Sequence, residues 1–314
     1  MKKITKILLV VMMLTAFVSF PLKSQAAVGS VDLGNVVQMG DFEGSTHYIV
    51  FYPKALETSG DTAWPVAVWA NGTMCAPALY TNLLKGVAAK GYIVVASSEM
   101  MSANGSGQIA AIDYIVNQSM DEKSVFCGKI DPGKIAAFGH SQGGRSSVNA
   151  AASDARIGCV VSIAGSSYTS EAQQLSAPAL FLTGTKDVVV LSSLWVEPAY
   201  KSVTGPAVYA SLKNGIHTTC ILDSDKYIDY CAGWFDAWLR NDADAMGQFK
   251  PGGALSKDGG WTKFASKNLT DNGITGSVFS GGTLWKAIAL VELLVIIAGA
   301  AVILARRKGQ KSPA

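Results

Sequence analysis

The sequence predicts an α/β fold with a mostly parallel central sheet, helices on both faces and a C-terminal transmembrane helix. Three observations carry this expectation. Strand-like and helix-like stretches alternate from about residue 46 to residue 240, the pattern of parallel strands joined by crossover helices. The pentapeptide Gly139-His140-Ser141-Gln142-Gly143 falls between an apolar run and an amphipathic one. Residues 287–305 form an apolar stretch broken only by Glu292.

In chain order, Lys2, Lys3 and Lys6 open the sequence, residues 7–20 are apolar, and Ser24-Gln25-Ala26 offers small residues for cleavage. That is the pattern of a secretory signal peptide spanning residues 1–26. An α/β domain is expected over residues 27–271. Residues 47–52 and 66–70 read as its first strands, residues 77–90 as a helix ending at Gly91, and residues 92–96 as a short buried strand. A second helix is expected over 107–118. Residues 134–138 read as the strand that leads into the pentapeptide, and 142–152 as the helix that leaves it. Further strands are expected at 159–163, 179–182 and 207–210, and an aromatic-rich amphipathic helix at 227–239. Trp261 and Phe264 suggest that part of residues 243–271 packs back on the domain. Residues 272–283 read as a flexible stalk rich in Gly and Ser. Residues 284–305 read as the membrane span, about 28 Å long over its apolar core. Trp285 stands at its outer edge, and a basic tail of residues 306–314 places the C-terminus in the cytoplasm.

Apolar residues make up 49% of the chain and charged residues only 16%, an imbalance that the two terminal segments largely explain. The net charge of +3 also includes those basic termini, and no basic stripe suggests a nucleic-acid partner. No residue spacing resembles a metal motif, and no cofactor is expected. Five cysteines in an exported chain allow disulfides. Pairing of Cys127 with Cys159 and of Cys220 with Cys231 is expected, which leaves Cys75 free.

A serine held at a sharp strand-to-helix turn is a nucleophile elbow. Glycines on either side permit the strained turn and the close approach of neighbouring backbone. Ser141 is therefore the candidate nucleophile. A serine hydroxyl needs a base, and the base needs a carboxylate to orient it. Only three histidines are available. The side chain of His140 points away from that of its neighbour Ser141, and His47 lies on an early strand. His217, in a loop between the last apolar strand and the last long helix, is the base by elimination. The acid is expected between serine and histidine in chain order. Asp187 fits, in the turn after the strand at 179–182. Asp154, Asp223 and Asp225 are weaker candidates, with Glu197 as the fallback. Two backbone N–H groups should bind the developing oxyanion. Gln142 supplies one, and Thr73, after the close-packing Gly72, is the candidate for the other, with Met74 as its alternative. Met100, Met101, Tyr168 and Trp195 are candidate pocket residues.

These residues resemble the α/β-hydrolase superfamily, and more narrowly its secreted branch of dienelactone-hydrolase-like proteins, bacterial cutinases and polyester hydrolases. The resemblance covers roughly residues 40–270. It rests on Trp69-Ala70-Asn71-Gly72-Thr73, Ala88-Ala89-Lys90-Gly91-Tyr92-Ile93-Val94, Gly139-His140-Ser141-Gln142-Gly143-Gly144, Thr183-Gly184-Thr185-Lys186-Asp187 and His217. It implies Ser141, Asp187 and His217 as a catalytic triad and ester hydrolysis without a cofactor. The chain departs from bacterial cutinases at Thr73, where they commonly carry an aromatic, and in its C-terminal apolar run. Ester hydrolysis in general is implied, rather than action on cutin or synthetic polyester in particular. The expectation is an exported, membrane-tethered, monomeric serine hydrolase acting on a small-molecule or polymeric ester. The same triad would serve a thioesterase or amidase, and a non-catalytic surface-binding protein could use the same fold.

Overall fold

Long apolar runs that do not alternate with polar residues require cover on both faces of a sheet. The computed structural model describes residues 29–269, apart from 61 and 102, and shows a ten-stranded sheet that meets this requirement. The strands are β1 (Gly29–Asp32), β2 (Val36–Glu43), β3 (Thr46–Pro53), β4 (Trp64–Ala70), β5 (Ile93–Ser97), β6 (Ile130–His140), β7 (Ile157–Ile163), β8 (Ala179–Gly184), β9 (Ala207–Leu212) and β10 (Trp261–Lys267). Their spatial order is β1-β2-β3-β5-β4-β6-β7-β8-β9-β10. The six strands from β5 to β9 in that order are mutually parallel, while β1, β2, β3 and β10 pair antiparallel at the two flanks.

Successive side chains of each central strand feed opposite cores, as strand geometry demands. Ala67, Trp69 and Phe138 pack with Leu83, Leu84 and Val87 of the helix Thr81–Ala89 and with Trp234 and Phe235 of the helix Asp225–Leu239. Val66, Val68 and Ala137 face the other way. They meet Ile112 and Ile115 of the helix Ser106–Met120, Val148 of the helix Gln142–Ser153, and Val196 of the helix Val196–Ser202. Each fully buried aliphatic or aromatic side chain contributes about 1.5–3 kcal/mol, so two filled layers make the centre of the sheet a rigid platform.

The expected strands and helices of the central region are present, with several ends extended by a few residues. Residues 77–90 divide into a 3₁₀ turn, Pro77–Tyr80, and the helix Thr81–Ala89. Pro77 suits the start of that turn, where its missing N–H costs nothing. The stretch at residues 47–52 is not the first strand, because β1 and β2 precede it as an antiparallel flank. Trp261 is buried, and β10 pairs with β9, so residues 261–267 do pack back on the domain. The segments expected to form a signal peptide, stalk, membrane span and tail fall outside the described residues. Among the described residues no helix is long and apolar enough to cross a membrane.

The expected disulfides are not made: Cys75, Cys127, Cys159, Cys220 and Cys231 are all free thiols. Cys159 sits on β7 in the core beneath the helix Asp225–Leu239, whereas Cys127 follows Phe126, which packs into the core on the opposite face. Cys220 and Cys231 share the first core but ride on separate helices. Burial pushes both thiols well above the ordinary thiol range.

The sharpest steric demand lies where β6 turns into its helix. A Cβ on Gly143 would stand 2.0 Å from the Ala70 carbonyl oxygen at the end of β4. Replacing a helical glycine by alanine ordinarily stabilises by up to about 1 kcal/mol. Gly143→Ala is expected to do the reverse and cost at least about 3 kcal/mol, read as a lower urea midpoint. A midpoint equal to or above that of the unaltered protein would show that β4 and the helix can separate freely.

Candidate active site

Sheet order decides which loops meet. Ser141 follows β6, the loop 71–76 follows the adjacent β4, Asp187 follows β8, and His217 follows the adjacent β9. All of them emerge at the carboxyl ends of parallel strands, the edge at which such sheets carry their sites.

Ser141 adopts φ 57°, ψ −119°, a conformation that costs a non-glycine residue of order 1–3 kcal/mol. Its surroundings hold it there. The Ser141 N–H donates to the Ile163 carbonyl at 2.8 Å, and its own carbonyl accepts from Gly144 N–H at 3.0 Å and Arg145 N–H at 3.3 Å. The strand ladder and the first helical turn thus both end on this one residue. The helix Gln142–Ser153 starts at the next residue, so its N-terminal turn lies directly behind Ser141.

His217 Nε2 lies 3.0 Å from Ser141 Oγ, and His217 Nδ1 lies 2.8 Å from Asp187 Oδ2. The Asp187 side chain has no solvent exposure. Its other oxygen, Oδ1, accepts from the N–H groups of Val189 and Val190, each at 2.9 Å. Those two bonds fix the carboxylate in its plane and leave Oδ2 for the imidazole. The acid and base loops are themselves stitched together. Thr185 N–H donates to the Leu212 carbonyl at 2.9 Å and Lys186 N–H to the Gly215 carbonyl at 2.8 Å, while Asn214 N–H donates to Thr185 Oγ1 at 2.9 Å. The structure therefore brings together Ser141, His217 and Asp187, the three side chains singled out from the sequence.

The alternatives are engaged elsewhere. Asp154 pairs with Arg156, Asp223 with Lys226, and Glu197 with Tyr209 and Lys263. Asp225 begins the helix Asp225–Leu239. His47 stacks on Phe42 in the β2–β3 hairpin, with ring centroids 4.5 Å apart. His140 is buried, and both of its ring nitrogens have partners other than Ser141. Its Nε2 is 2.8 Å from the His217 carbonyl oxygen and its Nδ1 is 3.0 Å from the Tyr80 hydroxyl.

Of the two candidate second donors, Met74 is already committed: its N–H donates to the Met100 carbonyl at 3.1 Å. Thr73 precedes it on an exposed turn beside the elbow. Buried Asn71 anchors that turn, a role not apparent from the sequence. Its Nδ2 donates to the carbonyls of Ser97 and Glu99 at 2.9 and 3.0 Å, and its Oδ1 accepts from Trp69 Nε1 at 2.9 Å. Buried Gln108 likewise ties β4 to β6, its Nε2 donating to the carbonyls of Val68 and Phe138. Neither residue carries a local sequence signal for this role, since the carbonyls that each one ties lie 26–40 positions away.

Exposed hydrophobic side chains stand on the loops at this edge of the sheet. Met74, Met101, Tyr168, Val188, Leu194 and Ile216 are exposed, each on a loop following a central parallel strand. Met100 is exposed as well, and the Tyr168 and Trp195 rings meet at 5.6 Å. Arg145, one turn into the elbow helix, forms a fork with Glu171 and lies 4.2 Å from the centroid of the Tyr168 ring, so that ring has a fixed support.

A parallel sheet with a serine elbow after a central strand, facing a histidine and an aspartate from two later strand ends, defines an α/β hydrolase. Residues 22–254 match the family described as PETase: PET hydrolase-like. The match covers well over half of the chain, which belongs to that family and is a carboxylic ester hydrolase. Similar proteins include a bis(hydroxyethyl) terephthalate hydrolase of Streptomyces coelicolor, 21% identical over 70% of this chain and 70% of its own length. Two cutinases of Thermobifida alba, Est2 and Est1, are each 22% identical over 64% of this chain, covering 66% and 67% of their own lengths.

Burial, reinforced by the neighbouring His217, pushes the His140 pKa from its ordinary 6.5 down to about 3. In the unfolded chain the same ring takes up a proton near pH 6.5. Between these values the unfolded state binds more protons, so this residue costs stability progressively as the pH falls below about 6.5. His140→Gln is expected to lose less stability than the unaltered protein between about pH 6 and about pH 4, measured by urea unfolding at both. Equal losses would mean that His140 is not kept neutral in the fold.

Proposed function

We propose that this protein cleaves hydrophobic carboxylic esters through an acyl-enzyme, with Ser141 as nucleophile, His217 as general base and acid, and Asp187 as its orienting carboxylate. The observation that carries the reading is the continuous hydrogen-bonded chain from Ser141 Oγ through His217 to Asp187, at 3.0 and 2.8 Å. In this reading Ser141 Oγ attacks the ester carbonyl while its proton passes to His217 Nε2. Asp187 accepts from Nδ1–H, which selects the tautomer with a free Nε2 lone pair and stabilises the imidazolium that forms. The carbonyl oxygen becomes an oxyanion between the N–H groups of Gln142 and Thr73. Collapse of this intermediate breaks the acyl–oxygen bond, and the leaving alkoxide takes the proton from His217. A water molecule then gives a proton to His217 and adds to the acyl carbon. The acid departs, and the proton returns to Ser141.

The exposed hydrophobic side chains on these loops support an ester with a sizeable hydrophobic part, and so do relatives named as a bis(hydroxyethyl) terephthalate hydrolase and as cutinases. Ser141→Ala is expected to abolish turnover of nitrophenyl esters while leaving the unfolding midpoint unchanged. Asp187→Asn should lower kcat by about 10⁴. A fluorophosphonate should label the unaltered protein and spare Ser141→Ala. Labelling of both to the same extent would remove Ser141 from the mechanism.

Export and tethering are part of the same proposal and rest on the composition of residues 1–26 and 284–305. The full chain should sediment with membranes and resist alkaline carbonate extraction. Recovery of the full-length protein in the carbonate-soluble fraction would remove the anchor.

A further inference from the structure

β9 and β6 are not neighbours: β7 and β8 lie between them. At about 4.8 Å per strand, the base loop must cross about 14 Å of sheet edge to bring His217 over Ser141. The main-chain stitching to the Asp187 loop holds the near end of its backbone, and Asp187 holds the His217 ring itself. The far end is held from β6 itself, by the residue immediately before Ser141. His140 Nε2 lies 2.8 Å from the carbonyl oxygen of His217, and a carbonyl can only accept, so this nitrogen carries the proton. Nδ1 is then a lone pair, and Tyr80 must donate to it across 3.0 Å. The same Tyr80 oxygen accepts from the Gly72 N–H at 3.1 Å. Every bond in the series therefore runs one way, from Gly72 through Tyr80 and His140 to His217. Tyr80 and His140 are both almost wholly buried. A Cβ on Gly72 would stand 2.9 Å from the Tyr80 hydroxyl and 3.1 Å from His140 Nδ1, so only glycine lets the backbone close on this pair.

We propose that Tyr80 and His140 are positioning residues that lock the backbone of the oxyanion turn to the backbone of the base through a one-way series of hydrogen bonds. The proposal rests on the reading of Ser141 and His217 as nucleophile and base. Its two ends are the residue before Thr73 and the residue that carries the base, so one buried strut sets both relative to Ser141. A neutral imidazole suits the role. It can donate and accept at once, and its ring, 4.7 Å from that of His217, places no second positive charge beside the imidazolium formed during turnover.

Misplacement of a reacting group by about 1 Å can cost about 10²-fold in rate. Tyr80→Phe and His140→Phe keep the packing and delete the bonds. Each is expected to lower kcat toward a nitrophenyl ester by about tenfold or more, with KM within about twofold. The Gln amide spaces one acceptor and one donor much as the imidazole does, so His140→Gln should recover most of the lost kcat. Phenylalanine variants with kcat within about twofold of the unaltered protein would overturn the proposal. So would a His140→Gln variant as slow as His140→Phe, because packing alone would then explain the loss. If the Phe variants do not fold, ¹⁵N NMR of the unaltered protein decides. His140 should show the Nε2–H tautomer in slow exchange with water, and the Nδ1–H tautomer would overturn the strut. Fluorophosphonate labelling of the unaltered protein separates the two ideas. A protein left unlabelled at Ser141 fails the catalytic reading, whatever the tautomer of His140.

Discussion

A serine held at φ 57° where a buried strand becomes a helix is the constraint on which the rest of this structure depends. The conformation is strained, so it persists only because its surroundings leave no other. β6 is paired on both sides, and the ladder continues through the Ser141 N–H to Ile163. The helix begins at the next residue, with its glycine face so close to β4 that a methyl group would collide with Ala70. Strain at one residue is balanced by packing in two filled cores, and the hydroxyl is held in a geometry that a relaxed turn would not give.

Around that point the molecule spends its buried polar groups on backbone. Asn71, Gln108 and His140 each bind main-chain atoms of an element far away in sequence, and Asp187 binds those of its own loop. Burying such groups is costly unless they are paired, and once paired they admit few alternative arrangements. The loops that meet over Ser141 are thus tied at several places to the ends of rigid strands. In the proposed mechanism this matters because His217 must remain within hydrogen-bonding reach of Ser141 Oγ through two proton transfers, one in each half of the reaction.

The exposed hydrophobic side chains on these loops contrast with this buried polar frame. Single exposed hydrophobic residues are ordinary on protein surfaces. Here Met74, Met101, Tyr168, Val188, Leu194 and Ile216 all stand on loops that follow the central parallel strands, and Tyr168 is braced by Arg145 and Glu171.

The central architecture and the three converging side chains were legible in the chain because their signals are local. An apolar run, a glycine-flanked serine and a helix read within residues 134–152 give the elbow. An aspartate and a histidine just past apolar strands give the partners proposed for it. The antiparallel flank was not legible. β2 carries Gly40, Asp41 and Glu43, and β10 carries Thr262, Lys263, Ser266 and Lys267, so neither has the continuous apolar run by which a buried strand is recognised. The disulfide expectation failed because spacing says nothing of which face of the sheet a thiol enters: Cys159 and the turn bearing Cys127 lie toward opposite cores. The roles of Tyr80 and His140 belonged wholly to tertiary structure. Their partners are 8, 60 and 77 residues away, and the direction of each bond follows from which atoms the fold buries side by side. The sequence by itself determined which chemical groups stand at the strand ends. Folding alone decided which of them are held in register, because that depends on strand order and on contacts between segments distant in the chain.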